Sequence, residues 1–228
     1  LVMKYVILIG DGMADYPMEE LGGRTPLAAA KTPNMDFLAT KGELGLARTI
    51  PEGMEPGSDV ANLSIMGYDP AKYHTGRAPL EAASMGVSLE PQDVAFRCNL
   101  VTLRHETNGD IFMEDYSAGH ISSSEARELI GSINQIMGNG SRRFYPGVSY
   151  RHLLVWQGGQ ENWRTYPPHD LTGQSVRSYL AGDGKEKPLL ELIKSSWPLL
   201  SNHSVNRLRA ERGQKPATSI WLWGQGRA

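Results

Sequence analysis

An α/β fold built on a parallel sheet, with a smaller α+β unit inserted into it, is the architecture this sequence predicts. Three observations carry that reading. Tyr5-Val6-Ile7-Leu8-Ile9 is a short, uninterrupted apolar run of the kind a strand buried on both faces shows. Helix and strand signals then follow one another in β-α-β order, which favours a parallel sheet with covering helices. The character changes near Gly86: Val94, Phe96, Cys98 and Leu100 take turns with Ala95, Arg97, Asn99 and Val101, the mark of a half-exposed strand.

Met3 reads as the natural first residue, with Leu1 and Val2 ahead of it. The first apolar run stops at Gly10-Asp11-Gly12. In open α/β sheets ligands collect beyond the carboxyl ends of strands, where Asp11 is expected to lie. A plain turn residue is the other reading of this aspartate. Thr25-Pro26-Leu27 is a cap followed by proline at the first helical position. Thr32-Pro33 restarts the pattern, giving a helix from about Asn34 to Lys41, and Leu44–Ile50 reads as a second short strand.

The stretch from Pro51 to Pro70 follows. Pro56 and Gly57 break any preceding strand, and Ser58 is expected to cap a helix marked by Val60, Leu63 and Met66 and ended by Gly67. Ala61, three residues on, denies it a full capping box. A serine hydroxyl at the positive end of a helix suits a phosphate, or an oxygen meant to carry one. A cap without chemistry is the alternative. Together, an oxygen ligand at a strand end and a serine at a helix start make half of a metal-assisted phosphoryl-transfer site.

In the central part, His105–Asp110 reads as a hairpin loop turned by Asn108-Gly109. Ser122 and Glu125 form a capping box for a helix through Leu129, Ile133 and Met137. Val148–Trp156 is a further strand, Leu189–Trp197 a helix stopped by Pro198, and Thr218–Trp223 a strand returning to the first domain. The expected division is therefore 1–85, 86–215 and 216–228. His120 precedes the capped helix, where its imidazole faces an anion at that N-terminus. Arg151 and His152 sit in a strand and point to opposite faces, and Arg151 offers a bidentate fork. His169 and Asp170 follow two prolines in a rigid turn, and Arg227 follows Gly224-Gln225-Gly226 at a strand end, where glycine exposes backbone to a phosphate. A structural hydrogen bond or a solvated face is the competing reading for each.

The 228 residues suffice for one large domain or two small ones. Lys and Arg number 23 against 25 Asp and Glu, and no basic block offers a nucleic-acid or membrane surface. The apolar runs are too short to span a bilayer, and no secretory-signal pattern opens the sequence, so a cytoplasmic location is expected. The single cysteine, Cys98, excludes an internal disulfide framework and reads as core rather than catalyst. There is no nucleotide-binding loop of the P-loop type.

GDGMADYPMEELGGRTPLAAAKTPNMD, then PGSDVANLSIMGYDP and GRAPLEAASMGV, resembles the archaeal-type cofactor-independent phosphoglycerate mutases of the alkaline phosphatase superfamily. The likeness continues through DYSAGHIS, FYPGVSYRHLLVW, PPHDLTG and IWLWGQGR. It implies an alkaline-phosphatase-like parallel sheet domain with an inserted domain that closes over a small phosphorylated substrate. It also implies glycolytic interconversion of 3- and 2-phosphoglycerate through a phosphoserine on Ser58. Asp11 and Ser58 become metal ligands for two divalent ions (Mn, Zn or Mg), and no bisphosphoglycerate cofactor is needed. One departure stands out: the general family often has a histidine four residues after the serine, and this chain has Asn62. A bacterial branch of this look has been proposed to be a homoserine kinase, and a non-catalytic phospho-ligand-binding module is the reading from another class. Family members are longer, so the chain reads as an N-terminal portion with an incomplete sheet. It is expected to be inactive alone and inclined to self-associate as a homo-oligomer through exposed apolar surface.

Overall fold

A computed structural model describes residues 3–182 and 184–228. Leu1 and Val2, read as preceding the natural start, lie outside the described residues. The chain divides into two units, 1–48 and 49–228.

The first unit carries two short helices, α1 (Pro26–Ala29) and α2 (Pro33–Lys41), after a single 3-10 turn at Glu19–Leu21. Both start as expected: Thr25 Oγ1 accepts from the Ala28 N–H at 3.1 Å, and each helix has proline in its first turn. The expected strands are not formed. Tyr5–Ile9 runs without a ladder partner and is exposed, Leu8 by 88%. Leu44–Ile50 pairs with nothing among the described residues either. An apolar strand of this kind is stable only when neighbouring strands satisfy its backbone and helices cover both faces. The parallel sheet expected here is therefore corrected: the sheet in the described residues is antiparallel throughout and lies in the other unit.

That second unit begins with three helices, α3 (Ser58–Ile65), α4 (Pro70–Tyr73) and α5 (Arg77–Ser84). A five-stranded sheet follows, made of β1 (Asp93–His105), β2 (Ile111–Asp115), β3 (Arg142–Tyr145), β4 (Arg151–Gln157) and β5 (Ser219–Gly226). The fold is mixed α/β. β1 is long enough to hold several partners: β4 along Asp93–Asn99, β5 along Ala95–Val101, and β2 beyond the bulge after Thr102. Asn108-Gly109 turns the β1–β2 hairpin as expected, with Gly109 at φ 82°. Helices α6 (Ser123–Met137), α7 (Arg177–Leu180), α8 (Lys187–Ser201) and α9 (Ser204–Glu211) complete the unit.

The main core unites Phe96, Cys98, Leu100 and Leu154 of the strands with the apolar faces of α6 and α8. Ser122 and Glu125 form the expected capping box of α6. Pro198, expected to stop a helix, lies inside α8. Leu200 and Ser196 are fully buried and Trp197 packs on the core, so the burial around Pro198 outweighs the hydrogen bond it forfeits. Thr218–Trp223, expected to rejoin the first segment, instead belongs to β5 and pairs with β1 in the central sheet. Ile220 to Trp223 are all buried there, which fixes the strand where it is. Residues 49–85 group with the central segment in one unit. Here α5 is the link: Ala78 and Ala82 pack a small second core with Ala95 and Leu153 of the sheet.

Arg151 and His152 do take opposite faces, one exposed and the other 1% exposed. His152 Nδ1 accepts from the Gly147 N–H at 2.9 Å while Nε2 has no partner among the described residues. Burial pushes its pKa down to about 3. A base whose folded value lies below its unfolded value of about 6.5 binds its proton only on unfolding, so stability is lost as pH falls from there toward 3. The expected slope is about 1.4 kcal/mol per pH unit in that window. Urea denaturation of the wild type and His152→Gln at several pH values checks it, and parallel pH profiles for the two would contradict it.

Candidate functional site

A cleft of about 580 Å³ opens within the second unit. The stretch around α3 and α5 contributes Gly57, Asp59, His74 and Arg77 to its walls. Trp163, Arg164 and His169 come from the loops after β4, and Trp223 from β5.

Gly57, not Ser58, precedes the first helical residue, and no side chain caps α3. Ser58 is thus the first residue of the helix rather than its cap, which corrects the expected role. Its side chain is exposed, and its neighbours on both sides line the cleft. A hydroxyl that is free of capping duty beside unsatisfied helix N–H groups remains available for chemistry.

Beside it, Asp59 Oδ2 lies 2.7 Å from His74 Nε2. Burial by itself would raise the Asp59 carboxyl; the His74 hydrogen bond and the Arg77 charge outweigh it and hold the pKa below the ordinary value. Asp59 therefore stays ionised and accepts from His74 Nε2.

Arg77 stands over the Trp223 ring at 5.6 Å, and Arg97 over the same ring at 4.5 Å. The two cations differ in their partners. Arg97 Nε lies 2.7 Å from Glu81 Oε2, near enough for an ion pair although the N–H is poorly aligned on the oxygen. Among the described residues Arg77 and Arg164 have no side-chain hydrogen bond and no carboxylate within ion-pair distance. The indole of Trp223 is fixed from behind, its Nε1–H donating to Asn99 Oδ1 at 3.0 Å.

The residues singled out in the sequence are brought together only in part. His169 lines the cleft and meets Trp223 edge-on at 5.6 Å. Asp170 lines it too, with Oδ1 3.6 Å from His169 Nε2. His120 has φ 50° and meets Tyr116 at 6.5 Å and Tyr150 at 6.3 Å, while Tyr116 meets His169 at 6.2 Å. One aromatic chain thus joins His120 to the cleft, and Arg151 reaches it over Tyr150 at 5.9 Å. Arg227 is not brought there: it pairs with Glu161 at 3.4 Å and donates to the Pro91 carbonyl at 3.3 Å. Cys98 is buried on the core side of β1, and burial raises its thiol far above the range of a nucleophile. Asp59, His74, Arg77 and Trp223 were missed in the sequence. The one sequence signal was for Arg77, the glycine immediately before it, which the structure holds at φ 146°.

Asp11 belongs to the first unit and Ser58 to the second. Among the described residues no group of three or more His, Cys, Asp or Glu converges as a metal cage. Two oxygens do not fit the coordination a divalent ion demands. Calorimetric titration of this 228-residue chain with manganese and zinc is expected to show only binding weaker than micromolar. Micromolar uptake of two ions would contradict this.

A family model described as 2,3-bisphosphoglycerate-independent phosphoglycerate mutase matches residues 39–206. A probable enzyme of that name from Geobacter sulfurreducens is 59% identical over 99% of this chain and 56% of its own length. One from Methanosarcina barkeri is 58% identical with the same coverage. Among solved structures, the cofactor-independent phosphoglycerate mutase of Thermoplasma acidophilum is 30% identical, with a TM-score of 0.50 over 95% of this chain and 58% of that one. A protein of Pyrococcus horikoshii is 29% identical with a TM-score of 0.64, over 95% and 49%. The chain spans about half the length of the curated relatives it matches. No described helix is long and apolar enough to cross a membrane.

Proposed function

The chain belongs to the 2,3-bisphosphoglycerate-independent phosphoglycerate mutase family, and from that premise we propose that it forms the N-terminal part of a mutase interconverting 3- and 2-phosphoglycerate. The observation that carries the reading is the placement of Ser58: exposed, unused as a cap, and flanked by two residues of the cleft that also holds Arg77 and Arg164. In this reading Ser58 Oγ attacks the phosphorus of the substrate ester. The ester P–O bond breaks, the proton given up by Ser58 Oγ ends on the departing glycerate oxygen, which leaves as a hydroxyl, and a phosphoserine remains. The neighbouring glycerate hydroxyl then attacks that phosphorus, loses its proton, and returns Ser58 to its starting state. No bisphosphoglycerate is consumed in this cycle.

His120, His169, Asp170 and Arg151 hold the substrate in this proposal, with the aromatic chain through Tyr116 and Tyr150 setting the spacing between the two histidines. Residues 86–215, together with β5, act as the substrate-capping unit. Asp11 and Ser58 supply metal oxygens only if further ligands join them. A cytoplasmic place and self-association through the exposed Tyr5–Ile9 run complete the proposal. The test is an assay of the intact protein on 3-phosphoglycerate and, in parallel, on homoserine with a phosphate donor. Mutase turnover with trapping of phosphate on Ser58 supports the reading; turnover of homoserine alone overturns it.

A further inference from the structure

The feature of the cleft that the sequence did not announce is how Arg77 is seated. Gly76 and Gly226 lie backbone against backbone: a Cβ on Gly76 would run into the Gln225 carbonyl, and one on Gly226 into the Thr75 carbonyl. Thr75 Oγ1 donates to the Arg227 carbonyl at 2.6 Å and closes the same seam. Gly76 also has φ 146°, a conformation side chains disfavour. This seam docks the start of α5 onto the end of β5. It leaves Arg77 against the Trp223 indole, which Asn99 holds in turn.

The two carboxylates nearest the start of α5 are committed elsewhere. Glu81 goes to Arg97 and Asp59 to His74. Glu55 and Asp170, the other carboxylates of the cleft, make no ion pair with Arg77. A planar cation held on an aromatic platform, with its donors unspent and facing a cleft, is built to receive an oxyanion in the bidentate manner. Arg164, also without an ion-pair partner among the described residues, lines the same cleft and supplies a second positive group for a ligand with two anionic ends.

We propose that Arg77, seated by the Gly76–Gly226 contact, is the residue that grips an anionic group of the substrate. The role that the glycine-flanked strand end suggested for Arg227 falls to it. The inference rests on the mutase reading for the identity of the substrate, a phosphorylated hydroxy acid. It rests on the seam and the unpaired guanidinium for the residue.

The experiment is calorimetric binding of 3-phosphoglycerate and of inorganic phosphate to the intact protein and its variants, with thermal unfolding as a control. Arg77→Gln is expected to weaken 3-phosphoglycerate binding at least about tenfold, the loss typical of a charge-assisted hydrogen bond. Arg77→Lys should recover only part of it, because a point charge lacks the fork. Arg227→Gln should stay within about twofold of the wild type, since its ion pair is exposed. Gly226→Ala, which keeps the Arg77 side chain but breaks the seam that seats it, should weaken binding in the same direction. Arg77→Gln binding within twofold of wild type, or a wild type that binds neither anion, overturns the proposal. If Arg77→Gln leaves binding intact while the wild type turns over phosphoglycerate, the grip falls and the mutase reading stands. If both anions bind equally and depend on Arg77 but no turnover occurs, the mutase reading falls and the grip stands.

Discussion

Replacing Ser58 with alanine in the intact protein is expected to reduce turnover of 3-phosphoglycerate by at least about a thousandfold, the scale of losing a catalytic nucleophile. Stability should hardly change. Had Ser58 capped α3, alanine would cost about 1 kcal/mol. Gly57 holds the cap position, Ser58 is exposed, and among the described residues its side chain makes no hydrogen bond that could be lost. Alanine is also the better helix former at that place. The two halves of the expectation are therefore separable: turnover by coupled assay, stability by urea denaturation. Activity within tenfold of the wild type would show that the hydroxyl takes no part. A large loss of stability together with activity would show that the serine supports the fold in a way the structure does not contain.

Glu81→Gln should produce the largest loss of stability among changes near the cleft, about 3 kcal/mol. The Arg97 side chain is 7% exposed and sits on Trp223, and burial already pulls its pKa below the usual arginine value despite the Glu81 charge. Neutralising Glu81 leaves that guanidinium buried without a counter-charge. Replacing both members together, Arg97→Met with Glu81→Leu, is expected to recover most of the loss, because a buried pair contributes little net stability over apolar side chains of similar size. Equilibrium denaturation of the two single variants and the double variant forms the cycle that tests this. A Glu81→Gln change below about 0.5 kcal/mol, the scale of ordinary surface substitutions, would mean that water reaches Arg97.

The local devices were legible. The Asn108-Gly109 hairpin, the Ser122–Glu125 capping box and the Thr25-Pro26 start depend on residues within one turn of each other, and all three are present. Arg151 and His152 fell on opposite faces because strand alternation leaves no other choice. Ser58 was rightly placed at a helix start and wrongly by one residue in role, since serine and glycine both serve as caps and only the backbone angles decide between them.

Long-range matters were not legible in the same way. Tyr5–Ile9 has the composition of a buried strand, but a strand exists only with a partner, and no apolar run specifies which segment will pair with it. Thr218–Trp223 was read correctly as a strand and assigned to the wrong neighbour, because β1 has thirteen residues and offers edges to several partners. Arg227 and Arg77 look alike in sequence, each beside a glycine. What separates them is Glu161 next to the one, and the seam, Trp223 and an open cleft next to the other. The sequence by itself determined the family, the helix and turn signals and the serine at the start of α3. The tertiary structure alone decided which strands meet and that Arg227 is paired while Arg77, among the described residues, is not, because pairing and burial are properties of residues far apart in the chain.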